Sequence, residues 1–537
     1  MKITKSPHVA LLFVLLLGLV WACDGPTDKP VEEITPFEPS TSLNGVTLSG
    51  TVPRDVAVGA ADSTLAKFAW NEFIALNWQV DTSNSTTTRG TAQSGWTLSD
   101  GNPATTVWET YLHRTELVNV NSLATTDYTT GNPVYNNYST SSKVSDPNSL
   151  LESGTWNLLD EDNEISSAFV FFVKDGDTTE VLYQAKANIS EYEYLKSKYP
   201  TTADQKTAEK VITSDKSLLV TFAQENLFCA QDAANAPLGS KFDQTICLPC
   251  GDTNTGDEGA MEIKTAWRAL HPEEDASKFI TREVIYFLDS QEAGKVETTS
   301  GTMALIGMHV IHKTRNYPAF IFASWEHESV RNTADGKYIF VPDLPIGQDR
   351  TAEPFGVYDV LDRVPVNIPP QIELVNGYAS TLVKENNSNS VLQYYNLIGV
   401  QATPIDYQAD YQADSTAQGT AYTDESSFFL ANYVIESDQR LTRFHGSFGD
   451  PFAESEKNVI WRDGVQLNMG GCQGCHGEAN LNGNNYSFLL GSAETDPDIQ
   501  QTFKEAYDTG HSNFFPKKKK TSMNMEEVKN LKASLEK

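Results

Sequence analysis

Ala168-Phe-Val-Phe-Phe-Val173 and Thr178-Thr-Glu-Val-Leu-Tyr183 flank the tetrapeptide Lys174-Asp-Gly-Asp177 in the first half of this 537-residue chain. Aromatic and β-branched residues are enriched in strands because their side chains pack well on a pleated surface. Asp-Gly is a dipeptide typical of tight hairpin turns. The stretch therefore predicts two antiparallel strands joined by a short turn.

The same alternation of β-rich runs and turn clusters continues along much of the chain. It predicts a large, mainly β domain over residues 59–405, and hence an α+β fold class for the whole protein. The further β-rich runs are Glu283 to Leu288, Met303 to His312, Ala319 to Trp325 and Tyr338 to Val341.

Helical patterns interrupt these strands at a few places. Residues 63–78 place apolar side chains at helical spacing, and Ser63 is available as the N-cap. Shorter helical segments are expected near Trp108 to Leu112 and Ile263 to Leu270.

The charge composition indicates which class of molecule the protein does not bind. The chain has 40 basic and 71 acidic residues, a formal net charge of −31. Such a surface repels phosphate backbones, so we expect no nucleic-acid partner. A hydrophobic content of 39% supplies enough apolar material for a folded core.

The motif Cys472-Gln-Gly-Cys475-His476 carries the clearest chemical signal. Cys-x-x-Cys-His is the attachment signature of a c-type haem, in which both thiols form thioethers with the haem and the imidazole binds the iron. A structural zinc site needs about four ligands, and no second ligand pair lies near the motif. A redox disulfide is the other alternative. We expect one covalently attached haem c.

The first residues predict export. An apolar run from Val9 to Val20 follows Lys2 and Lys5 and is too short to span about 30 Å of hydrocarbon, so residues 1–22 are expected to be a signal peptide. Its end, Val20-Trp-Ala-Cys23, resembles the lipobox of bacterial lipoproteins, although Trp21 departs from the small residue usual there. The resemblance implies lipidation of Cys23. An ordinary cleaved signal is the alternative.

This reading predicts a location in the bacterial cell envelope. The protein would be anchored to a membrane by its lipidated N-terminus and would face the periplasm or the cell exterior. Residues 23–58, rich in Pro, Ser, Thr and acidic residues, are expected to form a flexible tether.

The C-terminal part has a different pattern. Residues 406–420 include a short tandem repeat and are expected to be a linker or insertion. Residues 421–537 read as a small helical unit, with apolar periodicity at Phe429 to Ile435 and a final helix from Met525. The order of helix, motif and terminal helix resembles a class I cytochrome c domain.

That resemblance implies a set of haem ligands. Cys472 and Cys475 would hold the haem, and His476 would be the proximal ligand. The family commonly takes its distal ligand from a Met before the last helix, which makes Met523 or Met525 the expected sixth ligand. His511 competes with them, and Met469 lies too close to the motif to reach the far face of the haem.

Four segments, taken together, are similar to an uncharacterised family of secreted bacterial proteins that carry one C-terminal cytochrome c motif. The similarity implies an architecture and no known substrate. The segments are Phe68 to Trp78, Trp108 to Tyr111, Leu305 to Thr314 and Leu430 to Glu436.

Other Cys and His residues have simpler interpretations. Cys247-Leu-Pro-Cys250 lacks the following His, so Cys229, Cys247 and Cys250 are expected to share one disulfide whose pairing stays open. Strand alternation puts His309 and His312 on opposite faces, so we expect structural histidines. A metal site built from His309, His327 and a neighbouring Glu is the weaker alternative.

Three functions remain open at this point. The first is a membrane-tethered mono-haem cytochrome that exchanges electrons with a partner protein of unknown identity. The second is a haem-containing oxidoreductase with a substrate site in residues 59–405, because this body is larger than a carrier needs. The third is a haem-based sensor or binding protein.

Overall fold

The computed structural model describes residues 40–402, with short gaps and longer ones at 219–243 and 343–367, and then residues 432, 434–435, 459–462, 465–468 and 472–490. All of them belong to one compact unit, Ser40–Lys537. Among these residues, no helix is both long and apolar enough to cross a membrane.

The secondary structure is mixed. The strands are β1 Ser42–Leu43, β2 Val46–Thr47, β3 Val80–Asp81, β4 Thr88–Ala92, β5 Leu112–His113, β6 Asn157–Leu158, β7 Ala168–Phe172, β8 Thr178–Glu180, β9 Leu182–Ala187, β10 Met261–Arg268, β11 Thr281–Asp289, β12 Val296–His312, β13 Ile321–His327, β14 Tyr338–Pro342, β15 Tyr395–Gln401, β16 Val459–Arg462 and β17 Val465–Asn468. The α-helices are α1 Asp62–Leu76, α2 Arg114–Leu117, α3 Ile189–Lys198, α4 Thr202–Ser214, α5 Glu328–Arg331, α6 Pro370–Asn386 and α7 Cys472–Leu481.

A nearly closed sheet forms the centre of the N-terminal region. Its path runs β15-β13-β12-β10-β9-β5 with antiparallel neighbours, and β11 and β6 extend it from β12. The predicted large, mainly β N-terminal region is therefore confirmed as part of a mixed α/β fold. The predicted small cytochrome-like domain is not visible among the described residues, where the hairpin β16–β17 precedes α7.

The long strand β12 organises this sheet because it changes partner along its length. Residues 296–304 pair with β11, whereas residues 304–312 pair with β10. The other edge of residues 307–312 pairs with β13. This C-terminal half of β12 is thus held by hydrogen bonds on both edges.

The two faces of the sheet carry different cores. On one face α1 and α6 pack against the strands through Phe73, Trp325 and Leu397. On the other face Ile311 and Phe322 pack with residues of α3 and with Cys472 at the start of α7. The Cys-x-x-Cys-His helix therefore shares a core with the large N-terminal body.

Several sequence expectations are confirmed. Strands β7 and β8 form the antiparallel hairpin expected around Asp175-Gly176, although residues 173–177 lie outside the described ones. Strands β11, β12, β13 and β14 coincide with the four further β-rich runs. The helix expected at residues 63–78 appears as α1, one or two residues shifted at each end.

Two local expectations were wrong, and a third is confirmed in part. Ile263 to Leu270 lies largely in strand β10, which is buried on both faces and so lacks the alternation that marks half-exposed strands. Ala61 caps α1 in place of Ser63, with no side-chain hydrogen bond, and Asp62 supplies the negative charge that favours a helix start. The short helical segment expected near Trp108 to Leu112 is confirmed in part, because Trp108–Thr110 form a 3-10 helix that leads into β5.

Candidate functional site

The Cys-x-x-Cys-His motif forms the first turn of α7, which begins at Cys472. Positions i, i+3 and i+4 of a helix lie on one side, so residues 472, 475 and 476 share a side of α7. The side chain of Cys472 is 1% exposed and packs in a core that includes Ile311, Phe322 and Leu490. The start of α7 therefore packs against the sheet through Cys472.

His476 is held by the loop that follows its helix. Its Nδ1 lies 2.7 Å from the Tyr486 carbonyl oxygen. A carbonyl only accepts, so Nδ1 carries the proton and Nε2 carries the lone pair. Burial and, after it, the charge of the nearby His309 lower the pKa of His476 to about 3. His476 is therefore a neutral imidazole whose Nε2 can bind a metal.

Aromatic rings surround the His476 ring. The centroid of Phe322 is 5.0 Å away and that of Phe488 is 4.8 Å away. Phe488 is 53% exposed, so this side of the site reaches the solvent. The centroid of His309 lies 5.8 Å away, with the two imidazole planes only 23° apart.

Strand β12 presents His309 to the motif. In the sheet, His309 lies opposite Lys264 of β10 on one edge of β12 and opposite Ser324 of β13 on the other edge. Its Nδ1 is 2.8 Å from Ser324 Oγ. His312 points to the opposite face and pairs with Glu72 of α1, which confirms the expected alternation.

A metal centre built from protein side chains alone finds no support. Among the described residues no group of three or more His, Cys, Asp or Glu side chains can hold a metal ion. His327 instead donates from Nε2 to the Lys278 carbonyl at 3.1 Å, and its Nδ1 bonds Ser329 Oγ. The weaker alternative of a His309–His327 metal site is therefore wrong within these residues.

The loop after α7 is tied to the Cys247-Leu-Pro-Cys250 segment through one amide. Asn485 Oδ1 accepts from the Leu248 backbone N–H at 2.9 Å and from Lys313 Nζ at 2.5 Å. Lys313 Nζ also approaches Cys247 Sγ at 4.0 Å. Cys250 is disulfide-bonded, as expected, and its partner is not Cys247, which forms no disulfide. Pairing of Cys250 with Cys229, which lies outside the described residues, stays a prediction.

A buried carboxyl pair lies next to the same loop. Burial raises the pKa of Glu262 to about 8, and hydrogen bonding to Ser487 only partly opposes this. Burial, and then the charge of Glu262, raises the pKa of Glu191 well above its ordinary value. Near neutral pH the pair therefore keeps at least one proton.

These residues fit a haem in their donor chemistry. A haem iron receives four ligands from its porphyrin, so the protein supplies the thiols and the axial groups. Cys472 would supply one thiol to such a group and His476 one nitrogen ligand, and the Tyr486 carbonyl fixes the tautomer of His476 that ligation would need. The side chain of Cys475 is outside the described part of the chain, as are Cys23, Met469, His511, Met523 and Met525.

A cleft of about 560 Å³ lies elsewhere on the N-terminal body. Its lining includes Trp78 and Trp96, whose rings meet edge to face at 4.8 Å, and the polar residues Arg54, Gln93 and Glu258. This volume is in the range of small-molecule sites, and the mixture of aromatic and polar groups is typical of them. Sequence reasoning did not single out this cleft, because its lining comes from separate loops.

Comparison with protein-family models, with curated proteins and with solved structures finds no match for this chain.

Proposed function

We propose that the protein is a mono-haem c-type cytochrome that transfers single electrons, with the haem attached at Cys472 and Cys475 and bound by His476. The observation that carries the proposal is the hydrogen bond between His476 Nδ1 and the Tyr486 carbonyl at 2.7 Å, in a helix that begins at the motif. A histidine held in this tautomer is what a metal ligand requires.

Each residue of the site has a role in this proposal. When bound, the haem supplies a one-electron couple between ferric and ferrous iron. Tyr486 orients the His476 ring and keeps its Nε2 as the ligating nitrogen. Phe322 and the neighbouring core exclude water from the ring, whereas the exposed Phe488 marks the edge through which a redox partner would approach.

The surroundings of the site belong to the same proposal. Residues 421–537 would form a cytochrome c-like region, and Cys23 would carry the lipid that anchors the protein in the cell envelope, facing the periplasm or the exterior. The formal net charge of −31 favours a redox partner with a complementary basic surface.

The test is a spectrum of the full chain, purified from a host that attaches c-type haem. We expect the α-band of a reduced c-type haem and a haem stain that survives denaturing electrophoresis. A Cys472→Ser, Cys475→Ser double variant should lose both. A wild-type protein with no covalent haem would contradict the proposal.

A second candidate function is favoured by the cleft beside Trp78 and Trp96. A haem-containing oxidoreductase would bind its substrate there and pass the electrons to the haem. We expect such an enzyme to reduce its own ferric haem with one member of a panel of sugars, alcohols and amines, and to lose this reaction in Trp96→Ala. If no panel member reduces the haem, the electron-carrier function stands alone.

A further inference from the structure

We propose that the cleft beside Trp78 and Trp96 binds a neutral oligosaccharide. The inference names the class of ligand that the second candidate function leaves open, and it holds whether or not electrons pass to a haem. The cleft volume of about 560 Å³ exceeds that of a single sugar ring, so a chain of a few sugar units fits it.

Two indole rings supply the apolar part of the cleft. The Trp78 and Trp96 rings meet at 4.8 Å between centroids, with their planes 82° apart. Trp78 is 7% exposed, whereas Trp96 is half-buried and therefore has more of its indole surface open to the cleft. The face of an aromatic ring is negative, so it attracts the partly positive C–H groups on the face of a sugar ring.

The segment that carries Trp96 is fixed before any ligand binds. The backbone N–H of Trp96 donates to the Gln93 carbonyl at 3.4 Å, and Gly95, with a φ of 78°, allows the tight turn between them. The next residue, Thr97, donates its backbone N–H to the Asp100 carboxylate at 2.7 Å. A ring held in this way loses little conformational entropy on binding.

Three polar side chains of the lining keep hydrogen-bonding capacity for a ligand. Within the described residues, the Arg54 side chain bonds only through Nε, to the Gly256 carbonyl, so both of its terminal nitrogens remain available. The Glu258 carboxyl and the Gln93 side-chain amide make no hydrogen bond to the described part of the chain. Together these groups offer the donors and acceptors with which sugar hydroxyls pair.

The charge balance of the cleft favours a neutral ligand. Arg54 and Glu258 bring one group of each sign, and the other polar side chains of the lining are uncharged, among them the hydroxyls of Thr51, Thr91 and Ser94. Burial raises the pKa of Glu258, which the charges of His312 and Arg54 only partly oppose, so this carboxyl can also donate to a hydroxyl. An anion would meet the overall charge of −31, and a cation would meet the Arg54 guanidinium.

The experiment titrates the full chain with cellotetraose, xylotetraose, maltotetraose and mannotetraose, followed by tryptophan fluorescence and by calorimetry. We expect at least one of them to bind and to change the tryptophan emission. Trp96→Ala should weaken that binding about tenfold or more, because the stacking face is lost, whereas Trp96→Phe should retain most of it. Phe488→Ala, which removes an exposed ring outside the cleft, is the matched control and should bind as the wild type does.

A second pair of variants keeps the test decisive if Trp96→Ala does not fold. Glu258→Gln keeps a neutral hydrogen-bonding group and should bind as the wild type does, whereas Glu258→Ala should weaken binding about tenfold. No binding of any of the four oligosaccharides, or equal affinity in the wild type, Trp96→Ala and Glu258→Ala, would overturn the inference. Binding of the zwitterionic dipeptide alanylalanine in their place would also overturn it, because Arg54 and Glu258 would then pair with the two charged ends of a peptide.

Haem content separates this inference from the proposed functions. A chain without covalent haem would remove those functions, and its saccharide binding should be unchanged. Saccharide binding without any reduction of ferric haem would support the inference and count against the oxidoreductase.

Discussion

Burial decides the charge state of the main titratable residues near the motif. It keeps His476 neutral, with a pKa of about 3, and it keeps Glu262 protonated, with a pKa of about 8. A neutral imidazole has a lone pair that could bind a metal, and a neutral carboxyl can remain in a core. Burial therefore sets the charge state both of His476 and of the carboxyl beside the loop that follows α7.

This leads to a prediction on pH dependence. The pKa of Glu262 is raised from 4.5 to about 8, so the folded state holds a proton that the unfolded state releases above pH 4.5. The contribution of this bound proton to the free energy of unfolding is fully present below pH 4.5 and is lost as the pH rises to about 8. In Glu262→Gln we expect a shallower fall of the free energy of unfolding between pH 5 and pH 8.

Urea denaturation at a series of pH values measures this effect. Glu385→Gln, on the exposed side of α6, is the matched control and should follow the wild type. An identical pH profile in Glu262→Gln would show that this carboxyl is already ionised in the folded protein.

At the scale of elements, sequence patterns predicted strands where alternation or turn chemistry was strong, as in β7–β8 and β12. They failed for β10, whose two buried faces hide the period of two. The motif residues could be read from their spacing alone. The contact between His309 and His476 could not, because alternation separates His309 from His312 but says nothing about which distant element covers each face.

The packing of α1 on the sheet gives a prediction at this scale. Phe73 is fully buried, and its ring stacks on Trp325 with centroids 5.0 Å apart. Phe73→Ala should lower the free energy of unfolding by about 3–5 kcal/mol, since it removes buried area and leaves a cavity. Leu374→Ala, at a site 55% exposed on α6, should change it by less than about 0.5 kcal/mol. Equal effects in chemical denaturation would contradict this account of the core.

The loop after α7 gives a second prediction at this scale. Asn485 has a φ of 51°, so glycine accepts its backbone conformation and Asn485→Gly removes only the side chain. The lost acceptor for Leu248 and Lys313 should cost about 1–3 kcal/mol of stability. Asn389→Gly, in an exposed turn, is the control. If Asn485→Gly and Asn389→Gly lower the melting temperature equally, the Asn485 side chain does not stabilise the loop after α7.

At the scale of the whole molecule, the shared core of α7 and the sheet makes the body part of the site. The N-terminal region supplies the face on which Cys472 is buried and the strand that carries His309. The large N-terminal body therefore contributes directly to the surroundings of the candidate site.

The proposed membrane anchor is also a property of the whole chain. Cys23→Ser should abolish lipidation, so the protein should appear in the soluble fraction of the cell envelope and no longer require detergent. Thr27→Ala, in the same tether, should remain with the membrane. Membrane association of Cys23→Ser at the wild-type level would exclude a lipid on this cysteine.

The intact mass of the denatured full-length protein tests most directly whether a haem is covalently bound at Cys472 and Cys475. Protein from a host competent in c-type haem attachment should have the mass of the polypeptide plus one haem. The Cys472→Ala, Cys475→Ala double variant should lack this increment. A wild-type mass equal to that of the polypeptide alone would contradict the proposed attachment.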